Sequence, residues 1–129
     1  MSNRDVVAAL YAAFARRDVA AVAALSGPEL AITQTDLLPW GGTCHGLAGL
    51  NEFTAKLLGH VDSQVLVEES VEVGERVAAI GRTKGMVRGT GAPFDIRVVH
   101  VWTIRDGKAI RFEPNIGTPG MPNALGAGG

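Results

Sequence analysis

The hydrophobic period of the sequence changes once, near Gly59, and this change constrains the fold more than any other feature. Before Gly59, apolar residues recur every three to four positions, which is the period of an amphipathic helix. After Gly59 they alternate, which is the period of a half-buried strand. A chain of 129 residues has the length of one domain, so both halves must share one core. The sequence therefore predicts a single α+β domain.

The first half is predicted to contain three helices and one short strand. The first helix spans residues 3–17, and Asp18 caps a second helix that stops at Ser26-Gly27-Pro28. Residues 30–35 have the β-branched content of a strand. A third helix ends at Gly59, and its apolar face consists of Leu50, Phe53, Thr54, Leu57 and Leu58.

Four long strands are predicted after Gly59. The first presents a face of four valines, Val65, Val67, Val71 and Val73. Residues 77–87, 94–105 and 109–116 form the next three, and Asp106-Gly107 is the strongest hairpin signal in the chain. We expect a curved, mainly antiparallel sheet wrapped around the three N-terminal helices. A cone of this kind, open at one end, is a natural pocket for a small molecule.

Composition and charge narrow the possible classes of partner. Residues 1–116 are predicted to form the domain, and the Gly- and Pro-rich residues 117–129 a loosely ordered tail. The formal net charge is -1, so neither nucleic acid nor an anionic membrane is an expected partner. No apolar run approaches the roughly 18 residues of a membrane span. With Cys44 as the single cysteine, we expect a soluble protein of the reducing cytoplasm.

The sequence predicts no metal and no nucleotide cofactor. His45, His60 and His100 lie on separate predicted elements and lack the spacing of metal ligands. No Walker loop or dinucleotide-binding fingerprint follows a predicted strand. Any chemistry would therefore depend on side chains of the protein.

Two segments resemble the SnoaL-like branch of the superfamily of nuclear transport factor two and ketosteroid isomerase. They are Trp40-Gly-Gly-Thr-Cys-His-Gly before the third helix and the hairpin of residues 100–113, His-Val-Trp-Thr-Ile-Arg-Asp-Gly-Lys-Ala-Ile-Arg-Phe-Glu. Together with the order of the elements, the resemblance covers about residues 4 to 125. It implies the cone-shaped fold, which hosts isomerases, polyketide cyclases, epoxide hydrolases and association modules without enzymatic activity.

The resemblance implies isomerase positions that this chain fills with other residues. The tyrosine that isomerases carry on the first helix is replaced by Leu10, and Tyr11 points about 100° away around the helix. The isomerase base falls near Gln34, with Asp36 two residues on, and the second oxyanion donor falls on His100. Isomerase chemistry in its usual form is therefore not expected.

The catalytic aspartate of the cyclases is also replaced. The cyclase pattern Phe-Glu-x-Tyr-x-Asp corresponds here to Phe112-Glu113-Pro114-Asn115-Ile116-Gly117, so Gly117 occupies the position of the aspartate. The same glycine removes one carboxylate of the epoxide hydrolase set. Either the chemistry uses other residues, or the protein binds a ligand without turning it over.

Pairing the last hairpin about Asp106-Gly107 predicts a new catalytic pair. It places His100 opposite Glu113, Trp102 opposite Arg111 and Val98 opposite Asn115. Opposed side chains have Cβ atoms about 5 Å apart, so Glu113 would raise the basicity of His100 as a general base. Asp36 is the other candidate carboxylate. The predicted substrate contacts are Trp40, Trp102, Phe14 and Phe53 as apolar walls, with Thr35 and Asn115 orienting an oxygen.

Structural alternatives stand beside these assignments. His100 is as readily a structural histidine, and Glu113 pairs equally well with Arg111 or Arg97 at a wet edge of the sheet. Trp102 and Phe14 are more often core residues than ligand contacts.

Three functions remain open. The first is a cofactor-free acid–base enzyme, of isomerase or cyclase type, acting on an apolar oxygenated molecule such as a polyketide or a steroid-like ketone. The second is a pocket protein that binds such a molecule without catalysis. The third is an interaction module, a homodimer that pairs through the outer face of its sheet.

Overall fold

The computed structural model describes residues 2–34 and 42–116, with the backbone alone for residues 115 and 116. The helices are α1 (Asn3–Ala15), α2 (Val19–Ala24) and α3 (Gly46–His60). The strands are β1 (Ser26–Gln34), β2 (Gly42–His45), β3 (Val61–Val73), β4 (Arg76–Val87), β5 (Pro93–Arg105) and β6 (Lys108–Ile116). The predicted α+β class is confirmed. The predicted tail, residues 117–129, lies outside the described residues.

The strands form one six-stranded sheet in the order β2-β1-β6-β5-β4-β3. Strands β3 to β6 form the predicted antiparallel meander. Strand β1 pairs with β6 in parallel, with Ile32 opposite Phe112, and with the short strand β2 in antiparallel orientation. The parallel pairing joins the helical half of the chain to the last strand of the meander. No described helix has the length and apolar content needed to cross a membrane.

Side-chain caps set the starts of the first two helices. The Ser2 hydroxyl accepts a hydrogen bond from the backbone N–H of Asp5, whose carboxylate accepts one from the backbone N–H of Ser2. Asp18 caps α2 as predicted and accepts from Ala21. Helix α1 ends at Ala15 rather than residue 17, because Arg17 has a left-handed φ of 56°.

The predicted stop signal after α2 is the start of a strand. Ser26-Gly27-Pro28 was expected to end the helix in a loop, yet β1 begins at Ser26, which pairs with Ala109. The register between β1 and β6 shifts between Ser26 and Ala31. An irregular stretch of this kind accommodates Pro28, which has no N–H to donate to a sheet.

A bulge in β3 contradicts the predicted valine face. Val67 pairs with Gly81 and Glu69 pairs with Ile80, so Glu68 has no opposite residue. One extra residue reverses the alternation of side chains. Val65 and Val67 therefore lie on the inner face of the sheet, although Val67 is 38% exposed, whereas Val71 and Val73 lie on its outer face.

A second bulge changes the register of the β5–β6 hairpin. Ile104 pairs with Ala109 as predicted, but Thr103 pairs with Arg111, so Ile110 has no opposite residue. The pairs beyond the bulge are Trp102 with Phe112, Val101 with Glu113, His100 with Pro114 and Val99 with Asn115. The predicted pairs His100–Glu113, Trp102–Arg111 and Val98–Asn115 are therefore wrong by one residue.

The sheet bends sharply where β3 crosses β4, and two glycines allow this approach. A Cβ atom at Gly81 would clash with the carbonyl oxygen of Leu66, and one at Gly85 with that of Asp62. Only residues without a side chain fit so close to a neighbouring backbone. This bend carries β3 toward the helices and helps to form the concave face.

The core lies between the helices and this concave face. It is built from Val6, Val7, Leu10 and Ala13 of α1, Leu50 and Phe53 of α3, and Leu30, Ile32, Val77, Trp102, Ile104 and Phe112 of the sheet. Val7 and Leu10, three positions apart, are both buried here, as the helical period of the first half predicts.

Candidate functional site

A cavity of about 230 Å³ opens between the helices and the concave face of the sheet. Its size lies just below the range for ligand pockets, about 300 to 1,000 Å³. Most of its wall is apolar, and the apolar side chains include Phe14, Phe53, Leu57, Val65, Val98 and Phe112. The polar side chains of the described wall are Tyr11, Arg17, Gln34, Thr54, Ser63, Gln64, Thr83 and His100.

Three aromatic side chains form a hydrogen-bonded chain at the inner wall. The hydroxyl of Tyr11, on α1, lies 2.6 Å from Nδ1 of His100, on β5. The indole Nε1–H of Trp102, also on β5, donates to the same hydroxyl at 3.0 Å. His100 and Trp102 are two residues apart on one strand, so both face α1 and both reach Tyr11.

Ring packing fixes the orientation of the histidine. The Tyr11 and His100 rings are stacked, with centroids 5.9 Å apart and planes 14° apart. Phe112 meets the His100 ring edge-on, at 5.2 Å and 86°. With a neighbour on two sides and a hydrogen bond at Nδ1, the imidazole has one orientation.

The bonding pattern determines which ring nitrogen carries the proton. An indole N–H only donates, so the Tyr11 oxygen accepts from Trp102. If Nδ1 of His100 also donated to Tyr11, the hydroxyl proton would need another acceptor, and the described residues supply none. An unpaired buried donor costs about 1–3 kcal/mol. We therefore assign the Tyr11 hydroxyl as donor to Nδ1, which places the imidazole proton on Nε2.

Nε2 of His100 is the nitrogen that remains available to a ligand. No described residue bonds it, and His100 lines the cavity although its side chain is almost fully buried. Burial lowers the pKa of His100 to about 4. Burial also raises the pKa of Tyr11, against a smaller opposite effect of the Trp102 hydrogen bond. At neutral pH both groups are uncharged, so the site presents a neutral N–H donor in apolar surroundings.

Trp102 does not lie in the cavity wall, where it was predicted. Its side chain is 1% exposed and stacks on Phe112, with centroids 3.9 Å apart, and it does not line the cavity. The prediction of Trp102 as a cavity wall is wrong, because α1 and Phe112 cover the indole. It acts on the site through its hydrogen bond to Tyr11.

Glu113 is not part of the cavity wall either. Its neighbours Phe112 and Pro114 both line the cavity, whereas Glu113 pairs with Val101, whose side of the sheet faces away from His100. Successive residues of a strand point to opposite faces, so Glu113 cannot support His100 across the hairpin. The partner of His100 is Tyr11.

The other predicted site residues divide into two groups. Phe14 and Phe53 lie in the cavity wall, and their contact with a substrate stays a prediction. Thr35, Asp36, Trp40 and Gly117 lie outside the described residues, and so does the side chain of Asn115. Their roles stay predictions as well.

Gln34, at the position of the isomerase base, is buried and lines the cavity. Its side-chain amide donates to the carbonyl oxygen of Pro114 at 2.6 Å. This bond ties the end of β1 to β6. An amide does not remove a proton from a substrate, so Gln34 positions the wall of the site.

Tyr11 is the residue that sequence reasoning missed. The resemblance to the isomerases places the donor of the first helix at Leu10, which is completely buried in the core. The helical spacing already placed Tyr11 beside the apolar face, and a buried tyrosine hydroxyl needs a hydrogen-bond partner. That need was the available signal, although the partner lies 89 residues away. Within residues 2–34 and 42–116, no three His, Cys, Asp or Glu side chains come together as candidate metal ligands.

Solved structures of other proteins share this fold. An NTF2-like protein of unknown function from Burkholderia pseudomallei K96243 is 31% identical, with a TM-score of 0.89 over 97% of this chain and 98% of that one. TerC, co-crystallised with polyporic acid, is 29% identical, with a TM-score of 0.87 over 96% and 98%. A protein from Jannaschia sp. CCS1, assigned to the SnoaL-like polyketide cyclases, is 19% identical, with a TM-score of 0.85 over 97% and 92%. At 19% identity, the Jannaschia protein shows only that the fold is shared.

None of the curated proteins compared with the chain matched it. A family model for the SnoaL-like domain matches residues 7–112, which run from the first helix into β6. The matched residues include all three hydrogen-bonded side chains, Tyr11, His100 and Trp102. The chain belongs to the family of SnoaL-like domains.

Proposed function

We propose that the protein is an acid–base enzyme of isomerase or cyclase type that acts on an apolar, oxygenated small molecule. One observation carries the proposal. His100 lines an apolar cavity with Nδ1 engaged by Tyr11 and with the Nε2–H group available to a substrate oxygen. The family supports the same class of reaction.

The neutral histidine suits the stabilisation of developing negative charge. A donor held in place before the reaction needs no reorganisation, and its effect is larger where water is excluded. Burial keeps His100 neutral, so its Nε2–H group is retained as a donor rather than lost or charged. Trp102 donates to Tyr11, and Tyr11 to His100, so each bond polarises the next.

The reaction begins with removal of a proton from a carbon beside a substrate carbonyl. The C–H electron pair forms a new C=C bond, and the carbonyl π pair moves to the oxygen that His100 binds. In an isomerisation, the enolate regains a proton at another carbon. In a cyclisation, the enolate carbon attacks a second carbonyl carbon of the same molecule, and the resulting alkoxide takes up the proton.

Asp36 is our proposed base for the first step. The described residues that line the cavity include no carboxylate. The resemblance to the isomerases places their base near Gln34, two residues before Asp36. In this proposal Asp36 is the base in place of His100, which was predicted to be the general base with Glu113 or Asp36 in support, and His100 is the donor to the substrate oxygen.

Substitution of His100 tests the proposal. We expect the purified protein to catalyse hydrogen–deuterium exchange beside the carbonyl of a cyclic monoketone, measured by NMR. His100→Ala should slow the exchange about a hundredfold or more. Tyr11→Phe should slow it less, because the donor remains but is no longer fixed. His45→Ala, on an exposed residue at the start of α3, is the matched control and should not change the rate.

Two outcomes would contradict the enzyme proposal. Unchanged exchange in His100→Ala would exclude the proposed donor. Binding of polyporic acid, the compound co-crystallised with TerC, without any exchange in the wild type would favour the pocket protein that binds without turnover. Tryptophan fluorescence measures this binding.

We also propose that the protein is a homodimer that pairs through the outer face of its sheet. Val71, Ala78 and Val101 form one row across β3, β4 and β5, and Ile80 and Val99 lie in the next row. Val71 is 42% exposed. Monomeric proteins rarely expose a contiguous apolar patch, and a dimer with twofold symmetry would cover the same patch on both copies.

Light scattering tests the dimer. We expect a mass of two chains for the wild type and of one chain for Val101→Glu, in the patch. Val19→Glu, on an equally apolar but remote exposed position of α2, should remain dimeric. A monomeric wild type would contradict this proposal and leave the one about the cavity intact.

A further inference from the structure

We propose that the natural substrate is an organic anion, an apolar molecule whose carboxylate or ionised enol binds Arg17 at the mouth of the cavity. This inference rests on the proposed function of the cavity and adds the charge of the substrate. Arg17 is the one charged side chain among the described residues that line the cavity. In the sequence it is the last residue of the helix predicted for residues 3–17.

No carboxylate of the described chain neutralises Arg17. The neighbouring cation Arg16 lies 3.6 Å from Asp18, whereas Arg17 has no ion pair within residues 2–34 and 42–116. Its Nη1 donates to the carbonyl oxygen of Phe14 at 3.2 Å, and its Nη2 to that of Ser63 at 3.3 Å. A guanidinium has five N–H donors, so most of them stay available for a ligand.

The two carbonyl bonds hold the guanidinium in place. One comes from the last turn of α1 and the other from β3, and Phe14 and Ser63 both line the cavity. Arg17 therefore spans the gap between the helix and the strand at the rim. A fixed planar guanidinium binds a carboxylate through two parallel hydrogen bonds, which a flexible lysine does not.

The backbone of Arg17 supplies an independent observation. Its φ of 56° lies in the left-handed region, at the position after a helix where glycine is the usual residue. A side chain with a Cβ is strained there, and strain of this kind is retained where a side chain is needed. In this chain that position carries the cation of the cavity rim.

The arrangement selects a molecule with two different ends. The neutral Nε2–H of His100 suits a carbonyl oxygen, and Arg17 suits a full negative charge. The wall between them is mostly apolar. The net charge of the chain is -1, so no general field attracts anions, and the selection must come from Arg17 itself.

A matched pair of ligands tests the inference. The probes are 1-naphthoate and its methyl ester, which differ in charge and hardly in shape, titrated by tryptophan fluorescence. We expect the wild type to bind the acid about tenfold more tightly than the ester, and the preference to shrink in high salt. Arg17→Gln should abolish the preference and leave the affinity for the ester unchanged. Arg16→Gln is the control and should bind both probes as the wild type does.

A second variant separates binding from helix capping. Arg17→Gly removes the strain together with the cation, so we expect a melting temperature at least equal to that of the wild type and the same loss of preference. A merely structural Arg17 would lower the melting temperature in both variants and leave the acid-to-ester ratio unchanged, and this result would overturn the inference. If the wild type bound neither probe, the proposed function of the cavity would fail with it. If it bound both equally, only the role of Arg17 would be overturned.

Discussion

The two faces of β5 differ in a way that inverts the usual distribution of residues. On the inner face, His100 and Trp102 carry polar nitrogen atoms into the core, and both bond Tyr11. On the outer face, Val99 and Val101 are only half buried. Polar groups inside a core are stabilising only when paired, and apolar groups outside suit a surface that another protein covers. Under the two proposals, one strand carries the site on one side and the association surface on the other.

The largest effect is expected from a substitution of Gly81, where the sheet bends to make its inner face concave. Gly81→Ala should destabilise the protein by about 3 kcal/mol, because the new Cβ meets the backbone of β3, which cannot move aside as a side chain can. Gly59→Ala, in α3 with no atom within 4 Å of the new Cβ, should not destabilise the protein. Urea unfolding measures both. Equal stability of the two variants would show that the bend does not depend on Gly81.

The second prediction concerns protonation of the inner face. Burial lowers the pKa of His100 to about 4 in the folded state, from an ordinary value near 6.5. Between these values the unfolded chain binds a proton that the folded protein does not. The free energy of unfolding therefore keeps its full contribution from the neutral His100 above about pH 6.5. It falls by up to about 3 kcal/mol as the pH drops to about 4.

Unfolding measured across this pH range checks the second prediction. In His100→Gln the loss between pH 6.5 and pH 4 should be much smaller, because the buried imidazole that takes up the proton on unfolding is absent. Hydrogen bonds to Ser2 lower the pKa of Asp5, so this carboxylate titrates below the window. An identical pH profile in the variant would contradict the assignment to His100.

The third prediction removes one atom from the chain of three side chains. Tyr11→Phe keeps the ring but deletes the hydroxyl, so the Nε1–H of Trp102 loses its acceptor and Nδ1 of His100 its donor. We expect a loss of about 2 kcal/mol, the scale of a buried polar group left without a partner. Thr103→Val, on the outer face of the same strand, should change stability far less. Calorimetry compares them, and an equal loss would remove the distinction between the faces.

The smallest effect is expected at the outer rim. Arg105 donates two hydrogen bonds to Glu75 and lowers the pKa of that carboxyl, but both side chains are exposed. Exposed ion pairs are weak and are screened by salt. Glu75→Gln should therefore shift the melting temperature by no more than the scatter of the measurement. A clear drop at low salt would show that the rim contributes more than its exposure suggests.

Most of the architecture was predictable because its signals are local. The change of period near Gly59, the turn at Asp106-Gly107 and the cap at Asp18 each act over a few residues, and each lies where it was predicted. The parallel pairing of β1 with β6 was not predictable in the same way. It joins residues about 80 positions apart, and no short pattern in either strand specifies its partner.

The site was predictable only in part because it depends on register. His100 was identified as a site residue, but its predicted partner was Glu113 and its observed partner is Tyr11. The bulge at Ile110 is the cause, since nothing in the residues around it marks an extra position. The contact with Tyr11 spans 89 residues and follows from tertiary packing rather than from spacing.

The bulge at Ile110 also bears on how activities are transferred between proteins of this fold. A single inserted residue exchanges the two sets of β6 side chains, so that Phe112 and Pro114 face the cavity and Glu113 does not. Two relatives can therefore have the same residues in the second half of this strand and still present different chemistry to a ligand, if only one of them has the extra residue before it. Deleting Ile110 would return Glu113 to the position opposite His100, so one deletion would alter the inner wall more than several substitutions. In this fold, the side chains that reach the cavity depend on the number of residues between the turn and the cavity as much as on their identity.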